Sequence, residues 1–404
     1  MSSVKKLMMS GAIGGSKPLV GNQEAELVGS DGRVGNFGHV VALSDDGSIA
    51  VVGASANNSP AYAGGAAYVF TRSGTTWSQQ QRLSASDAAN FDEFAYSIDI
   101  DGDGDTIIAG AYQEDTNGTS AGSAYIFTRS GTTWSQQAKI QASDRAAYDW
   151  FGISSAISQD GNTACVGAYG ETSGKGAAYV FTRSGTSWSQ QAKLTASDGA
   201  SGHKFGRGCD VSDDGNTIVV SAEDATSGGV SGAGAAYVYT RSGTTWSQQA
   251  KLQAGDLVSY RTYGRNVQIS GDSNTVIVGA QNYNDSGQSS GACYIYTRSG
   301  STWSQEQKLL ASDGAASDTF GIGISLSEDG SVALIGARGD DDNGNASGTA
   351  YIFTRSGTTW SQITKIYPTG AAAVDLFGNA TALSGDSATG LVGASQENEA
   401  YIFV

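Results

Sequence analysis

Blocks of consecutive apolar residues recur along this chain at nearly constant spacing, each set in the same polar and glycine-rich surroundings. In the second copy, Thr-Ile-Ile-Ala-Gly-Ala at 106–111 follows the turn Asp101-Gly102-Asp103-Gly104 and precedes a Gly/Ser/Asn-rich stretch at 112–122. Ahead of each block stands an aromatic residue followed by a small one. The pairs are Phe37-Gly38, Phe94-Ala95, Phe151-Gly152, Phe205-Gly206, Tyr263-Gly264, Phe320-Gly321 and Phe377-Gly378, spaced 57, 57, 54, 58, 57 and 57 residues apart. A fixed period over nearly the whole chain marks a repeat architecture, in which each copy buries its apolar faces against its neighbours.

Each copy reads as four strands. In the second, these are Phe94 to Ile100, Thr106 to Ala111, Ser123 to Arg129 and Thr133 to Ile140, with tight turns joining the first to the second and the third to the fourth. The second strand is apolar on both faces, as expected where sheets stack like wedges. The fourth alternates: Trp134, Gln136, Ala138 and Ile140 are expected on one face, and Thr133, Ser135, Gln137 and Lys139 on the other. Six copies carry that tryptophan, and the seventh ends at Tyr401 to Val404 without a fourth strand. The missing strand aligns at the opposite terminus, where Gln23 to Asp31 matches Gln136 to Asp144. Dividing one copy between the termini closes a ring and protects two sheet faces that a linear stack leaves wet. The expectation is an all-β, seven-bladed β-propeller of four-stranded antiparallel blades over 21–404, its last blade completed by the N-terminal strand. Residues 1–20 are expected to form a docking arm.

Composition agrees: 57 Gly against 3 Pro in 404 residues suit many strands joined by tight turns. A net charge of -16 argues against a nucleic-acid partner, because phosphate binding draws on clustered Lys and Arg. No apolar run has the length needed to cross a bilayer, so membrane insertion is not expected. Cys165, Cys209 and Cys293 fall at different repeat positions, which fits buried apolar residues rather than a disulfide framework.

The order Phe-Gly, turn, apolar run, Gly-Ala, variable loop, Gly-Ala-Tyr-Val-Phe resembles the FG-GAP repeat, found in the integrin α-subunit propeller and in many bacterial and viral proteins. The resemblance covers 21–404 and is closest in wording at Tyr179 to Leu194. It implies a propeller used for adhesion or assembly, with ligands received by loops on one face. The calcium loops of integrin-type blades are not carried over. Here the corresponding turns are shortened to forms such as Ser158-Gln159-Asp160-Gly161, and four residues do not wrap a cation that takes six to eight oxygens.

Several local patterns invite a sharper chemistry. Asp99, Asp101, Asp103 and Asp105 place carboxylates at alternate positions, but within an ordinary hairpin turn. Asp340, Asp341 and Asp342 lie in a longer loop and remain the calcium candidates, no other cofactor being expected. Arg338-Gly339-Asp340 spells an integrin-binding tripeptide and is read as repeat drift. Gly-x-Ser-x-Gly occurs at 118–122 and 287–291 without the strand-turn-helix context of a nucleophile elbow, and the chain has only His39 and His203 as bases. The Ser-x-Asp-Gly-x-Thr turns resemble the Asp box of sialidases, but no constellation of arginines with a tyrosine nucleophile can be assigned. Repeated arginines (Arg72, Arg129, Arg183, Arg241, Arg298, Arg355) and repeated aspartates (Asp31, Asp87, Asp144, Asp198, Asp256, Asp313) are read as a perimeter of surface ion pairs.

The function expected from these readings is non-enzymatic: a structural or adhesion protein of a phage or virus particle, in its tail or capsid. Its opening residues look like the starts of some phage structural proteins, and its copies are unusually alike. The arm, through Val4, Leu7, Met8, Met9 and Ile13, is expected to dock on other virion proteins, while the variable loops meet a host surface protein or glycan. Alternatives are a lectin-like propeller, stacking sugars between blades on Tyr112, Tyr169 and Tyr283, and a secreted bacterial surface adhesin.

Overall fold

A computed structural model describes residues 19–404 apart from Arg33, Asn117 and Arg261. The arm residues Val4, Leu7, Met8, Met9 and Ile13 therefore lie outside the described residues. Seven four-stranded antiparallel sheets make up the chain, spanning 41–83, 97–140, 154–194, 205–252, 267–309 and 324–366, with the seventh formed by 377–403 and 23–27. The only helical element among the described residues is one turn, Glu171–Gly174. No helix there is long and apolar enough to cross a membrane.

Ring closure follows the sequence expectation. Gln23–Leu27 runs antiparallel to Glu399–Phe403, pairing Gln23 with Phe403 and Leu27 with Ala400. The backbone groups of Asn22 and Val404 exchange both hydrogen bonds, at 3.0 and 2.9 Å. Leu19 is already buried between the last two blades, beside Leu334 and Val392.

The second strand of the first six blades is buried at all six positions, because neighbouring blades cover both of its faces. The Phe-Gly pair locks each blade to the segment that enters it. Phe151 packs against Tyr179 and Phe181 of its own blade, with ring centroids 5.6 and 6.0 Å away. Gly152 holds φ +94, and a Cβ there would sit 2.4 Å from the carbonyl oxygen of Ser123, so only glycine fits this crossing.

Two expectations need correction. A bulge in each of the first six blades, between Ile126 and Phe127 in the second, gives the outer strand one extra residue. The side-chain faces therefore exchange midway. Trp134 packs toward the preceding blade with Leu83, whereas Ala138 and Ile140 pack toward the following blade with Phe151. The repeated arginines and aspartates do not pair in a perimeter. Asp87, in the linker leaving one blade, accepts hydrogen bonds from Tyr125 (2.9 Å) and Lys139 (2.7 Å) of the next. Asp144, Asp198, Asp256 and Asp313 make the same latch with the tyrosine and lysine that follow them. Arg129, Arg241 and Arg298 instead lie over the tryptophan of their own blade, at 5.4 to 5.7 Å.

Candidate functional site

Antiparallel order within each blade puts the first and third turns on one face of the ring, and the long loop and inter-blade linker on the other. We refer to these as the turn face and the loop face. The innermost strands line a central channel of about 310 Å³ that meets both faces.

At the turn face the blade tips are stitched together through the backbone. Asp272 N–H donates to Glu328 O, Glu328 N–H to Gly385 O, Gly385 N–H to Asp45 O, Asp45 N–H to Gly102 O and Gly102 N–H to Gln159 O, at 2.9 to 3.4 Å. Carboxylates crowd this mouth. Gln159 donates to Asp45 (2.5 Å) and to Glu328 (3.4 Å). Burial, followed by the hydrogen bond and charge of Glu328, pushes Asp213 up to about 8. Each Ser-x-Asp-Gly turn is a self-contained cap: Ser158 Oγ donates to Asp160 Oδ1 and accepts from Thr163 N–H. Asp101 replaces that serine in the second blade, accepting from the N–H groups of Asp105 and Thr106. Asp99 faces the channel wall, where it accepts from Ile157 N–H of the next blade, and burial pushes it up to about 7. The acidic quartet is thus divided between a cap and a wall.

The loop face is built differently. The residue immediately after each aromatic pair stands at the mouth; these include His39, Tyr96, Arg207, Arg265 and Asn379, which Arg338 joins from just beyond the second strand of its blade. One arc is aromatic. His39 lies 5.0 Å from Tyr96, Tyr96 lies 4.5 Å from Tyr112, and Trp150 lies 4.8 Å from Tyr169. The other arc is cationic. Arg207 caps the Tyr169 ring at 5.8 Å and stands 3.8 Å from Glu223, and Arg338 Nη1 donates to Asn379 Oδ1 at 3.0 Å. Burial, followed by the charges of Arg207, Arg265 and Arg338, holds His39 down to about 4.

The sequence candidates fall as follows. Asp340 is buried, accepting from Tyr351 (2.8 Å) and Lys365 (3.0 Å), and Asp342 also accepts from Lys365 (2.5 Å). Asp341 accepts from Ala346 N–H at 2.6 Å. These oxygens serve the loop and its lysine, and no group of three or more His, Cys, Asp or Glu among the described residues is placed to hold a metal ion. Arg338 and Asp340 point to different environments, so the tripeptide is not displayed as a unit. Tyr112 packs on Tyr96, and Tyr169 on Trp150 and Arg207, beside the residues that line the mouth. Tyr283 is buried, with its hydroxyl on Asp256 O and Lys308 lying 3.8 Å from its ring, which leaves no face for a sugar. The three cysteines are buried and free. The arginine cluster was missed by motif reading because its members lie in different blades. Aligning the copies on the aromatic pair would have placed Arg207 and Arg265 at one position.

Fold and mouth together define a seven-bladed β-propeller with a chemically distinct cup on its loop face. Six segments match the family model for the FG-GAP repeat, at 22–70, 77–127, 134–181, 188–239, 246–296 and 303–353, and the chain belongs to that family. Among solved structures it is similar to the Kuenenia stuttgartiensis hydrazine synthase, at 12% identity and a TM-score of 0.59, over 92% of this chain and 96% of that one. That likeness concerns the fold alone. No curated protein matches the chain.

Proposed function

We propose that this protein is a non-enzymatic adhesion and assembly module on the surface of a virus particle, receiving its partner on the loop face. FG-GAP propellers serve adhesion and surface roles, and the observation that carries the reading is a set of exposed apolar side chains repeated around that face. Phe91, Tyr148, Tyr260 and Val374 occupy equivalent linker positions and are 57%, 57%, 68% and 53% exposed. All four hold left-handed backbone, at φ +66, +67, +56 and +75. Bulky residues on such backbone are costly, and exposed ones return nothing to the core, so selection for contact accounts for them.

Co-sedimentation with purified particles tests the proposal. The full chain is expected to travel with them, and Phe91→Ser/Tyr148→Ser/Tyr260→Ser to lose at least about tenfold in retention. Ile363→Ser, on the outer strand, should be retained as wild type. Deleting residues 2–16 is expected to leave a folded ring that no longer joins the particle. A wild-type chain that stays in the soluble fraction, or a triple variant that attaches normally, contradicts the proposal.

A further inference from the structure

We infer that the loop-face cup binds a carboxylate-bearing sugar, its carboxylate on Arg207, Arg265 and Arg338 and its ring against the aromatic arc of Tyr96, Tyr112, Trp150 and Tyr169. The inference gives the loop face of the proposed function a ligand. Its logic begins with charge: in a chain of net charge -16, three arginines converge on one mouth. Their local compensation is thin. Glu223 stands 3.8 Å from Arg207 but also takes Lys204 at 3.2 Å. The hydrogen-bond partner of Arg338 is the neutral amide of Asn379. Arg265 makes no side-chain hydrogen bond or ion pair among the described residues. Burial, followed by the charge of Arg207 and partly offset by that of Glu223, holds it below the usual arginine range, so the neighbouring cations add to the cost of burying it. An anion offsets that cost, and guanidinium forks match a carboxylate in bidentate fashion.

The opposite arc selects among anions. A bare inorganic ion uses only the arginines, whereas a pyranose bearing a carboxylate places its C–H face on the rings while its charge reaches across the mouth. The floor carries less negative charge than its two aspartates would otherwise bring. Asp99 is pushed up to about 7 and Asp210 well above the carboxylate range by burial, and each also accepts from the next blade's backbone. The three arginines stand at the loop-face mouth, so the ligand is received from that face.

Calorimetric titration of the full chain with glucuronate and galacturonate provides the test, with glucose, acetate and inorganic phosphate as comparison arms. A uronate is expected to bind at least about tenfold more tightly than glucose or either small anion, since loss of a charge-assisted contact or a stacked face costs roughly that much. Arg265→Gln and Arg338→Gln should each weaken the uronate about tenfold, while Arg298→Gln on the turn face leaves it unchanged. Thermal melts confirm that each variant is folded, and Arg207→Gln replaces any that is not. Phosphate or acetate binding as tightly as the uronates, uronate binding indifferent to the arginine variants, or no binding at all would overturn the inference. None of these outcomes alters the result of particle co-sedimentation.

Discussion

The two mouths of the channel are made from the same repeat and have opposite chemistry. At the turn face, short turns of nearly constant sequence hydrogen-bond to one another through the backbone and crowd carboxylates around Asp213. At the loop face, residues that differ from copy to copy, several of them next to the aromatic pairs, present a half-aromatic, half-cationic collar. The turn face joins blades through its backbone and the loop face through the linker aspartates, while the residues around the loop-face mouth vary. This division teaches that in a closed propeller conserved wording marks where blades meet, and drift marks where they can receive something.

Substitutions at the two faces should separate these roles, beginning with the backbone. Gly152→Ala drives a methyl group into Ser123 O and should cost about 4 kcal/mol or more in denaturant unfolding. Gly131→Ala, in an open turn at φ +62 with nothing within 4 Å, should cost only about 1–2 kcal/mol. Equal costs would mean that the crossing beneath the loop face is looser than described.

Acid and base should also distinguish the mouths, with opposite sign. The folded pKa of His39 is depressed, so its contribution is present above its ordinary value of 6.5 and lost as pH falls through about 4. His39→Gln should remove a loss of about 2–3 kcal/mol between those limits. For Asp213 the folded pKa is raised, so its contribution is full below 3.8 and lost as pH rises through about 8. Asp213→Asn should therefore stabilise the protein at pH 9 by about 1–2 kcal/mol, once solvent screening of this half-exposed group is allowed for, and change little at pH 4. Unfolding midpoints across pH check both, and slopes of the same sign would abolish the contrast.

The smallest effect concerns Ala95, the one departure from glycine in the seven pairs. It is buried at φ +65, whereas its glycine counterparts lie between +83 and +94. Ala95→Gly removes the left-handed penalty and loses a buried methyl, for a net gain of up to about 0.5 kcal/mol. A loss on thermal melting would show that the methyl packs better than the backbone suffers.

Much of the fold was legible because strand length and turn chemistry act locally. Thr106–Ala111 and Thr133–Ile140 stand at the expected limits, and the strand at Gln23 completes the seventh blade as its likeness to Gln136 implied. The bulge was not legible, since the extra residue changes no residue type and reveals itself only through pairing. The expected first strand from Phe94 also begins later, at Ser97, because Phe94 bridges to Gly65 of the preceding loop instead. Of the site, the loop face was anticipated, but the cup was not. Arg207, Arg265 and Arg338 are separated by 58 and 73 residues, and only the closed ring brings them together. At Asp99 to Asp105 the hairpin-turn reading holds, and pleating sends Asp99 to the channel wall while Asp101 caps the turn.

Both mouths exist only if the ring closes, and closure can be measured directly by oxidising Asn22→Cys/Val404→Cys. These residues exchange both backbone hydrogen bonds, which places their Cα atoms about 5.5 Å apart, within disulfide range. The account predicts an intramolecular disulfide formed in the native monomer, which raises the unfolding free energy by about 3–5 kcal/mol because it closes a loop of nearly the whole chain. Cysteines that stay reduced, or that link only between molecules, would contradict it.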